Sequence, residues 1–350
     1  MISLLLLVAC GPTYTLVDPG RGGLDDTPDD DDDVVEVGDD DDAPDRSTST
    51  DPGDEPRPHG PVDSGGSDTG TVLDTGTPPA QPPEPGFDGR CWWEPIHPDV
   101  SLADLQPVSH GNRRDVAFEA FRRRWPAGHA LLVDMAHDPY IDVFLDGSSW
   151  GAFSDSLLIV AHEETHGWDY EHALYPNHFG FFFLADYQPG GPWFDTLPRS
   201  VIRPLIDDQA TGLYADLYLT GTQGTYGFTE LLDETTCYVN DLGAAVAFAD
   251  GLPWTLSARD GALSFLYYTA VYLDYAEHNA PALYASWQAD PEIVATVRDL
   301  WLRTHFFVEV AGGDPRLGVY DQQIFPLMYA EQPALEAFLG LSLDDSSCLP

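Results

Sequence analysis

Residues 154–172 read SDSLLIVAHEETHGWDYEH, a run in which an apolar segment leads directly into two histidines and two glutamates. The segment LLIVA at 157–161 places apolar residues three and four positions apart, which predicts a helix with one buried face. Ser154 precedes this segment, and serine is a favoured residue at a helix N-cap. The sequence therefore predicts a helix over 154–170 that is buried beneath a cleft.

Two histidines of this run, His162 and His166, lie four residues apart. Side chains at this spacing lie on the same face of a helix, so both imidazoles can bind one Zn²⁺. Glu163, on the adjoining edge, can take a proton from zinc-bound water and pass it to a leaving group. The alternative is a helix that carries these residues at its surface by chance. The apolar segment before the motif favours the metal site.

A catalytic zinc usually has three protein ligands, and the sequence offers two solutions for the third. In the first, the ligand is Glu234, on a predicted helix whose one face also carries Glu230 and Tyr238. Glu230 is an alternative ligand on that same face. In the second solution the ligand is His172, six residues after His166. The spacing of the residues leaves these choices open.

The run at 162–170, His-Glu-x-x-His-x-x-Asp-Tyr, resembles that of bacterial zincins related to the lethal-factor type, and the later acidic helix resembles that of the gluzincins. The third zinc ligand of gluzincins is a glutamate on a later helix, a position that Glu234 matches. The resemblance implies a zincin-like α+β fold, with a small N-terminal sheet packed on the active-site helix and a mostly helical lobe after it. It also implies that Asp169 accepts the N–H of a ligating histidine, His166.

The string at 162–172 also has the ligand spacing of the metzincins, which would make His172 the third ligand. However, Asp169 stands where that family has the glycine of a turn, and aspartate adopts a left-handed conformation less readily than glycine. The methionine turn of that family is also missing at its usual distance. The preferred metal set is therefore His162, His166 and Glu234.

A hydrolase of this class also needs a hydrogen-bond donor for the oxyanion that forms beside the zinc. A tyrosine on the helix that follows the ligand helix suits this role. Tyr268 is the preferred candidate, with Tyr267 beside it. The other candidates are His178, Tyr238, Arg259 and His278.

The rest of the folded part is predicted to contain strands first and helices afterwards. A helix is predicted over 115–125, a buried strand over 130–135, and an edge strand over 140–145 with a turn at 146–147. Residues 174–227, rich in glycine, proline and aromatic residues, are predicted to form a cleft wall or lid. Further helices are predicted over 199–220, 227–249, 258–278, 291–304 and 327–340. This order of elements predicts the α+β class.

The N-terminus resembles a bacterial lipoprotein signal. Residues 1–9 contain an apolar run that ends in small residues before Cys10, the position that would carry the lipid. Residues 10–88 are acidic and rich in proline, glycine, serine and threonine, which predicts a disordered tether. Residues 89–350 are predicted to form the metallohydrolase domain. We therefore expect the chain to be anchored at the cell envelope, in a bacterial and specifically an outer membrane.

Charge and cysteine usage limit the partners and the compartment. The formal net charge is -44, and so acidic a surface repels phosphate backbones, so nucleic acid is not an expected partner. Cys91 and Cys348 lie at the two ends of the folded part, which suggests a disulfide in an oxidising compartment. Cys237 is then expected to be a free, buried thiol.

These observations favour a zinc-dependent peptidase of the cell envelope that acts on a peptide or protein substrate, with Glu163 as general base. A zinc amidase that acts on cell-wall material is an alternative, because the same chemistry cleaves any amide. A non-catalytic, surface-displayed binding protein with a structural or vestigial zinc site is an alternative of another class. The complete motif argues against it, because a purely structural site has no use for a general base.

Overall fold

The structure is a computed structural model that describes residues 85–89, 91–172, 178–254 and 257–343, apart from the side chains of 208–210 and 213. The predicted signal over 1–9, the lipid position Cys10 and nearly all of the tether lie outside the described residues. So does Cys348. Cys91 is disulfide-bonded, and Cys237 is free and buried, as expected.

The described part of the chain is mostly helical, with two small antiparallel sheets, and it is compatible with the α+β class. Its helices are α1 (Arg113–Arg124), α2 (Pro126–Asp134), α3 (Tyr140–Phe144), α4 (Trp150–His172), α5 (Asp208–Tyr218), α6 (Phe228–Phe248), α7 (Ala258–Asn279), α8 (Pro281–Gln288), α9 (Pro291–Ala311) and α10 (Asp321–Leu339). Its strands are β1 (Gly86–Phe87), β2 (Trp92–Trp93), β3 (His178–Gly180) and β4 (Gly190–Pro192). Strand β1 pairs with β2, and β3 pairs with β4.

The two strands predicted over 130–135 and 140–145 are wrong, because these residues form α2 and α3. Pro126 begins α2, a position where proline is favoured because its missing N–H would have no partner there. Leu131 and Leu132 are buried while Val133 is half exposed, a pattern typical of a helix. A short apolar run does not by itself distinguish the two structures.

The expected sheet on the active-site helix is therefore replaced by smaller hairpins. Strand β2 of the N-terminal hairpin contacts α9, and the second hairpin, β3–β4, contacts α4 through β3. The second hairpin follows the motif helix, α4, in the chain rather than preceding it. Between its strands Phe181, Phe182 and Phe183 are buried.

The long helices after residue 227 largely follow the prediction. Helices α6 and α7 match the predicted spans within about a residue, whereas α9 extends beyond its predicted end to Ala311, and α10 begins early, at Asp321. The helix predicted over 199–220 is broken, because Pro204 lies in a 3₁₀ segment, Arg199–Leu205, that precedes α5. Helix α8 was not predicted.

Helix α4 begins at Trp150, one turn earlier than predicted, and continues without a break to His172. Ser154 is therefore buried inside the helix and is not its N-cap. Helix α4 packs against α6, which in turn packs on α7 and α9. The histidine face of α4 thus lies against the helix that carries the candidate third ligand. No helix in the described ranges is long and apolar enough to cross a membrane.

A fully buried polar cluster fixes α4 to this helical core, and we call it the Glu94 centre: Glu94, Arg303, Asn240 and Thr165. Arg303 donates to Glu94 from Nε at 2.7 Å and to Asn240 from Nη1 at 2.7 Å. Asn240 Nδ2 then donates to Thr165 Oγ1 at 2.8 Å. Trp92 and Trp125 donate their indole N–H groups to the two oxygens of Glu94. Thr165, the residue before His166 in α4, is therefore linked by hydrogen bonds to Asn240 of α6 and, through it, to Arg303 of α9.

Candidate metal centre

Helices α4 and α6 bring Glu234 next to His166, but the donor atoms of the predicted set, His162, His166 and Glu234, do not all lie within 4.8 Å of one another. The rings of His162 and His166 lie on one face of α4, with centroids 5.0 Å apart. Glu234 lies on the facing side of α6 and is buried. We call these three residues, together with Asp233, the histidine centre.

Two atoms of this centre face each other without hydrogen bonds. His166 Nε2 lies 3.5 Å from Glu234 Oε2, and both are buried atoms with no hydrogen-bond partner among the described residues. Leaving a buried polar atom unpaired is costly, so such pairs call for an explanation. A divalent cation accepts one lone pair from an imidazole and another from a carboxylate, so these two residues fit a zinc ion.

The opposite nitrogen of His166 is already held. His166 Nδ1 donates to Asp233 Oδ2 at 2.8 Å. A carboxylate accepts only, so this contact places the proton on Nδ1 and leaves the Nε2 lone pair for a metal. Carboxylates in this position orient metal-binding histidines and raise their basicity.

Asp169, which was expected to accept from His166, has a different contact. Its Oδ1 accepts the backbone N–H of Phe182 at 2.7 Å, and Asp233 takes the predicted role. Asp169 Oδ2 is buried with no hydrogen-bond partner in the described ranges. Burial and the neighbouring Asp233 raise the pKa of Asp169 well above its usual range.

The two histidines have opposite electrostatic surroundings. Burial, followed by the charge of His166, lowers the pKa of His162 well below its usual value. Burial also opposes protonation of His166, but Asp233, Cys237 and Glu234 together raise its pKa well above the usual value. A cation bound between them would displace the Nε2 proton of His166, so metal binding at this centre releases protons.

Glu234 is close to His166, but a second residue competes with it as third ligand. The donor atoms of His162, His166 and Cys237 all lie within 4.8 Å of one another, and Cys237 is fully buried. Burial raises the pKa of its thiol. From the sequence, Cys237 is expected to be a free, buried thiol and is not a candidate ligand. Its place one helical turn after Asp233 was the signal available to find it.

The two adjacent glutamates of the motif differ in exposure. Glu163 is partly accessible on α4, whereas Glu164 is buried. Burial, followed by the charge of Asp138, raises the pKa of Glu164 to about 8. Glu163 is therefore the motif carboxylate whose accessibility suits proton transfer with a substrate.

The remaining ligand alternatives have other contacts. His172 lies in the unbroken helix α4, where its ring stacks on Trp168 at 3.8 Å between centroids and its Nδ1 bonds Trp168 O. Six residues of continuous helix rotate its side chain about 120° away from that of His166. Glu230 accepts the backbone N–H of Gly227 at 2.9 Å and so caps α6.

Among the oxyanion candidates, Tyr238 is the one that contacts a motif histidine. Its ring lies edge-on to that of His162 at 4.7 Å, and its hydroxyl pairs with that of Tyr218 at 2.9 Å. Tyr268, the preferred candidate, instead donates its hydroxyl to Thr211 O at 3.0 Å. Phe265 contacts the rings of both Tyr238 and Tyr268.

The other four candidates also have other environments. Tyr267 packs beside Tyr268, and Arg259 forms a buried ion pair with Asp321 at 2.7 Å. His278 is exposed at the end of α7 and bonds to Asp274 O. His178, on β3, lines a cavity of about 420 Å³ with Trp168 and His172 on another face of α4.

A buried arginine that the sequence did not single out supports the third-ligand helix. Arg199 is completely buried, with Nη2 4.0 Å from Glu234 Oε1. Its guanidinium also donates to Gln223 O at 2.7 Å and lies 5.6 Å from the centre of the Tyr218 ring. Arg199 thus links the Tyr218–Tyr238 pair to Glu234. Arg199 precedes α5 in the chain and Glu234 lies on α6, so no local sequence pattern shows their contact.

Comparison with known proteins gives no match to any family model, curated protein or solved structure. The zincin resemblance of the motif therefore stays a prediction, and the functional argument depends on the geometry of the histidine centre.

Proposed function

We propose that the chain is a zinc-dependent hydrolase, specifically a metallopeptidase, with His162, His166 and Glu234 as metal ligands. The observation that carries this proposal is the buried, unpaired contact of His166 Nε2 with Glu234 Oε2 at 3.5 Å. A hydrogen bond from the other side of the ring, to Asp233, supports it. Both features occur on a helix that also presents Glu163.

Bound zinc would supply Lewis acidity, which activates water and polarises a carbonyl near neutral pH. Asp233 keeps the proton of His166 on Nδ1 and so orients the ring. Glu163 accepts a proton from the attacking water and delivers it to the leaving amine. Tyr238, whose ring contacts His162, replaces Tyr268 in the proposal as the hydroxyl donor to the developing oxyanion.

The substrate is proposed to be a peptide or protein outside the cytoplasm. This part of the proposal depends on the lipoprotein-like N-terminus and on the acidic tether, both predicted from sequence. The disulfide of Cys91 supports an oxidising compartment.

The decisive experiment compares Glu163→Gln with Glu164→Gln in the full-length chain. Both chains are assayed for zinc content by elemental analysis and for cleavage of a mixed peptide library. Glu163→Gln should keep its zinc and lose at least about 100-fold in cleavage rate, the lower bound for a general base. Glu164→Gln is the matched control, because Glu164 is a buried neighbour on the same helix, and it should stay active.

Two results would contradict the proposal. Full zinc-dependent hydrolysis by Glu163→Gln would remove the general base from the mechanism. A wild-type chain that binds zinc, unfolds when the metal is removed and cleaves no amide would instead indicate a binding protein with a structural site. Cleavage of cell-wall amides but not of peptides would change the substrate class to that of the amidase alternative.

A further inference from the structure

A second group of possible metal ligands lies beside His166, on the side of its Nδ1 atom. The donor atoms of Asp169, Asp233 and Cys237 all lie within 4.8 Å of one another. Asp169 comes from α4, and the other two come from successive turns of α6. The same packing of α4 on α6 that builds the histidine centre therefore builds this group.

One oxygen of Asp169 is left over after its hydrogen bond, whereas Asp233 Oδ1 accepts the weak S–H hydrogen bond of Cys237. Asp169 uses Oδ1 for the N–H of Phe182, and its Oδ2 is buried with no hydrogen-bond partner in the described part of the chain. Asp233 uses Oδ2 for His166, and its Oδ1 lies 3.9 Å from Cys237 Sγ. The group thus presents two carboxylate oxygens and one sulfur toward each other.

The charges in this group are poorly balanced. Asp169 is 4% exposed and Cys237 is fully buried. Among the described residues, no arginine forms an ion pair with Asp169 or Asp233, and the single cationic partner is His166. Asp169 is buried and Asp233 is partly exposed, and two carboxylates so close together repel unless a cation or a proton lies between them.

We propose that Asp169, Asp233 and Cys237 form a second metal site, which takes a borderline transition-metal ion such as Zn²⁺. A thiolate with two carboxylates favours zinc, cobalt or cadmium over magnesium or calcium, which prefer oxygen ligands alone. The Cys237 thiol releases its proton to solvent when the ion binds. The bound ion would neutralise both carboxylates and hold Asp233, and through it the ring of His166. The inference goes beyond the proposed hydrolase activity and does not depend on it.

The test is a titration of the metal-free, full-length chain with Co²⁺. A bond from cobalt to a thiolate gives a charge-transfer band in the near ultraviolet, whereas histidine and carboxylate ligands do not. The wild-type chain should bind two ions, and the band should accompany one of them. His162→Ala should lose the other ion and keep the band.

Two variants address the new site itself. Cys237→Ser should lose the band, and Asp169→Asn should weaken the ion that gives the band at least about tenfold while the remaining ion binds as in wild type. Circular dichroism before the titration shows whether each variant folds. If Cys237→Ser does not fold, Asp169→Asn still decides the proposal.

Asp274→Asn is the matched control, because Asp274, Glu277 and His278 form an exposed acidic group on α7. Loss of the second ion in this control would overturn the proposal. So would a wild-type chain without the band, or a band that disappears with His162→Ala, which would make Cys237 a ligand of the first site. None of these results depends on hydrolysis, so they are distinguishable from failure of the peptidase assay.

Discussion

The Glu94 centre and the histidine centre both use side chains of α6, but only the first has all of its polar atoms paired. Each oxygen of Glu94 accepts one indole N–H and one N–H of Arg303. In the histidine centre, His166 Nε2 and Glu234 Oε2 have no hydrogen-bond partner among the described residues. The Glu94 centre thus has all of its hydrogen bonds within the protein, whereas two buried atoms of the histidine centre lack one.

This difference is the one expected between a structural centre and the proposed metal site. A buried ion pair persists when further hydrogen bonds satisfy its remaining atoms, as they do around Glu94. An incomplete buried centre costs stability unless something outside the chain completes it. The two centres meet on α4, where Thr165 belongs to one and His166 to the other. A rigid frame thus supports the incomplete site.

The largest expected effect on unfolding comes from breaking the complete centre. Arg303→Met leaves Glu94 buried and unpaired, so we expect a loss of about 3–5 kcal/mol in the free energy of unfolding. Urea denaturation of the metal-free chain measures it. The control Arg122→Met removes an exposed pair with Glu119 and should leave the free energy of unfolding nearly unchanged. Equal losses in the two variants would contradict the assigned role of the Glu94 centre.

Changing the incomplete centre should do the reverse, removing the metal bound there at a smaller cost in stability. Glu234→Gln should lose the zinc of the histidine centre, and its metal-free unfolding free energy should fall less than that of Arg303→Met, because no hydrogen bond of Glu234 Oε2 is removed. Elemental analysis and urea denaturation measure the two quantities. Glu230→Gln, a cap on the same helix, should keep its zinc. An unchanged zinc content in Glu234→Gln would instead favour Cys237 as third ligand.

A smaller effect is expected from changing Asp233, which orients the ring of His166 in the incomplete centre. Asp233→Asn keeps a hydrogen-bond acceptor beside His166 but removes the charge, so the zinc affinity of the histidine centre should fall about 10–100-fold. Competition with a chromophoric chelator measures this affinity. Asp241→Asn, on the same helix but away from His166, is the control. Unchanged affinity in Asp233→Asn would show that the contact is not used to orient the ligand.

The last prediction changes a pH dependence and concerns a carboxyl pair outside both centres. Burial, followed by the charge of Asp155, raises the pKa of Asp241 to about 8. Since the pKa is raised on folding, the unfolding free energy should fall as the pH increases from about 4 to about 8, by at most about 1.4 kcal/mol per unit. Asp241→Asn should flatten this dependence in the metal-free chain, and Asp186→Asn, at an exposed site, should not. An unchanged slope in Asp241→Asn would disprove the assignment.

The long helices could be predicted from sequence because their apolar spacing is sustained over several turns, as in α6 and α7. The segments at 130–135 and 140–145 could not, because short apolar runs suit a strand and a helix equally well. The same limit applies to the cap of α4, since Ser154 precedes the apolar face but the helix begins earlier, at Trp150.

Within the candidate site, local spacing was sufficient for His162, Glu163 and His166, because residues of one helix share a face whatever that helix packs against. It also indicated the acidic face of α6 that carries Glu234. It did not assign Asp233 to His166, Tyr238 to His162 or Arg199 to Glu234. Each of these contacts joins elements far apart in the chain.

By itself, then, the sequence determined the motif helix, the acidic face of α6 and the strongly acidic N-terminal segment, all of which follow from short-range spacing and composition. Only the tertiary structure decided the partner of each motif side chain. The packing of α4 on α6 chose Asp233 over Asp169, and the unbroken course of α4 turned His172 away. Contacts of this kind depend on which helix faces meet. The sequence of a helix shows which of its faces is apolar, but not the register in which another helix packs against it.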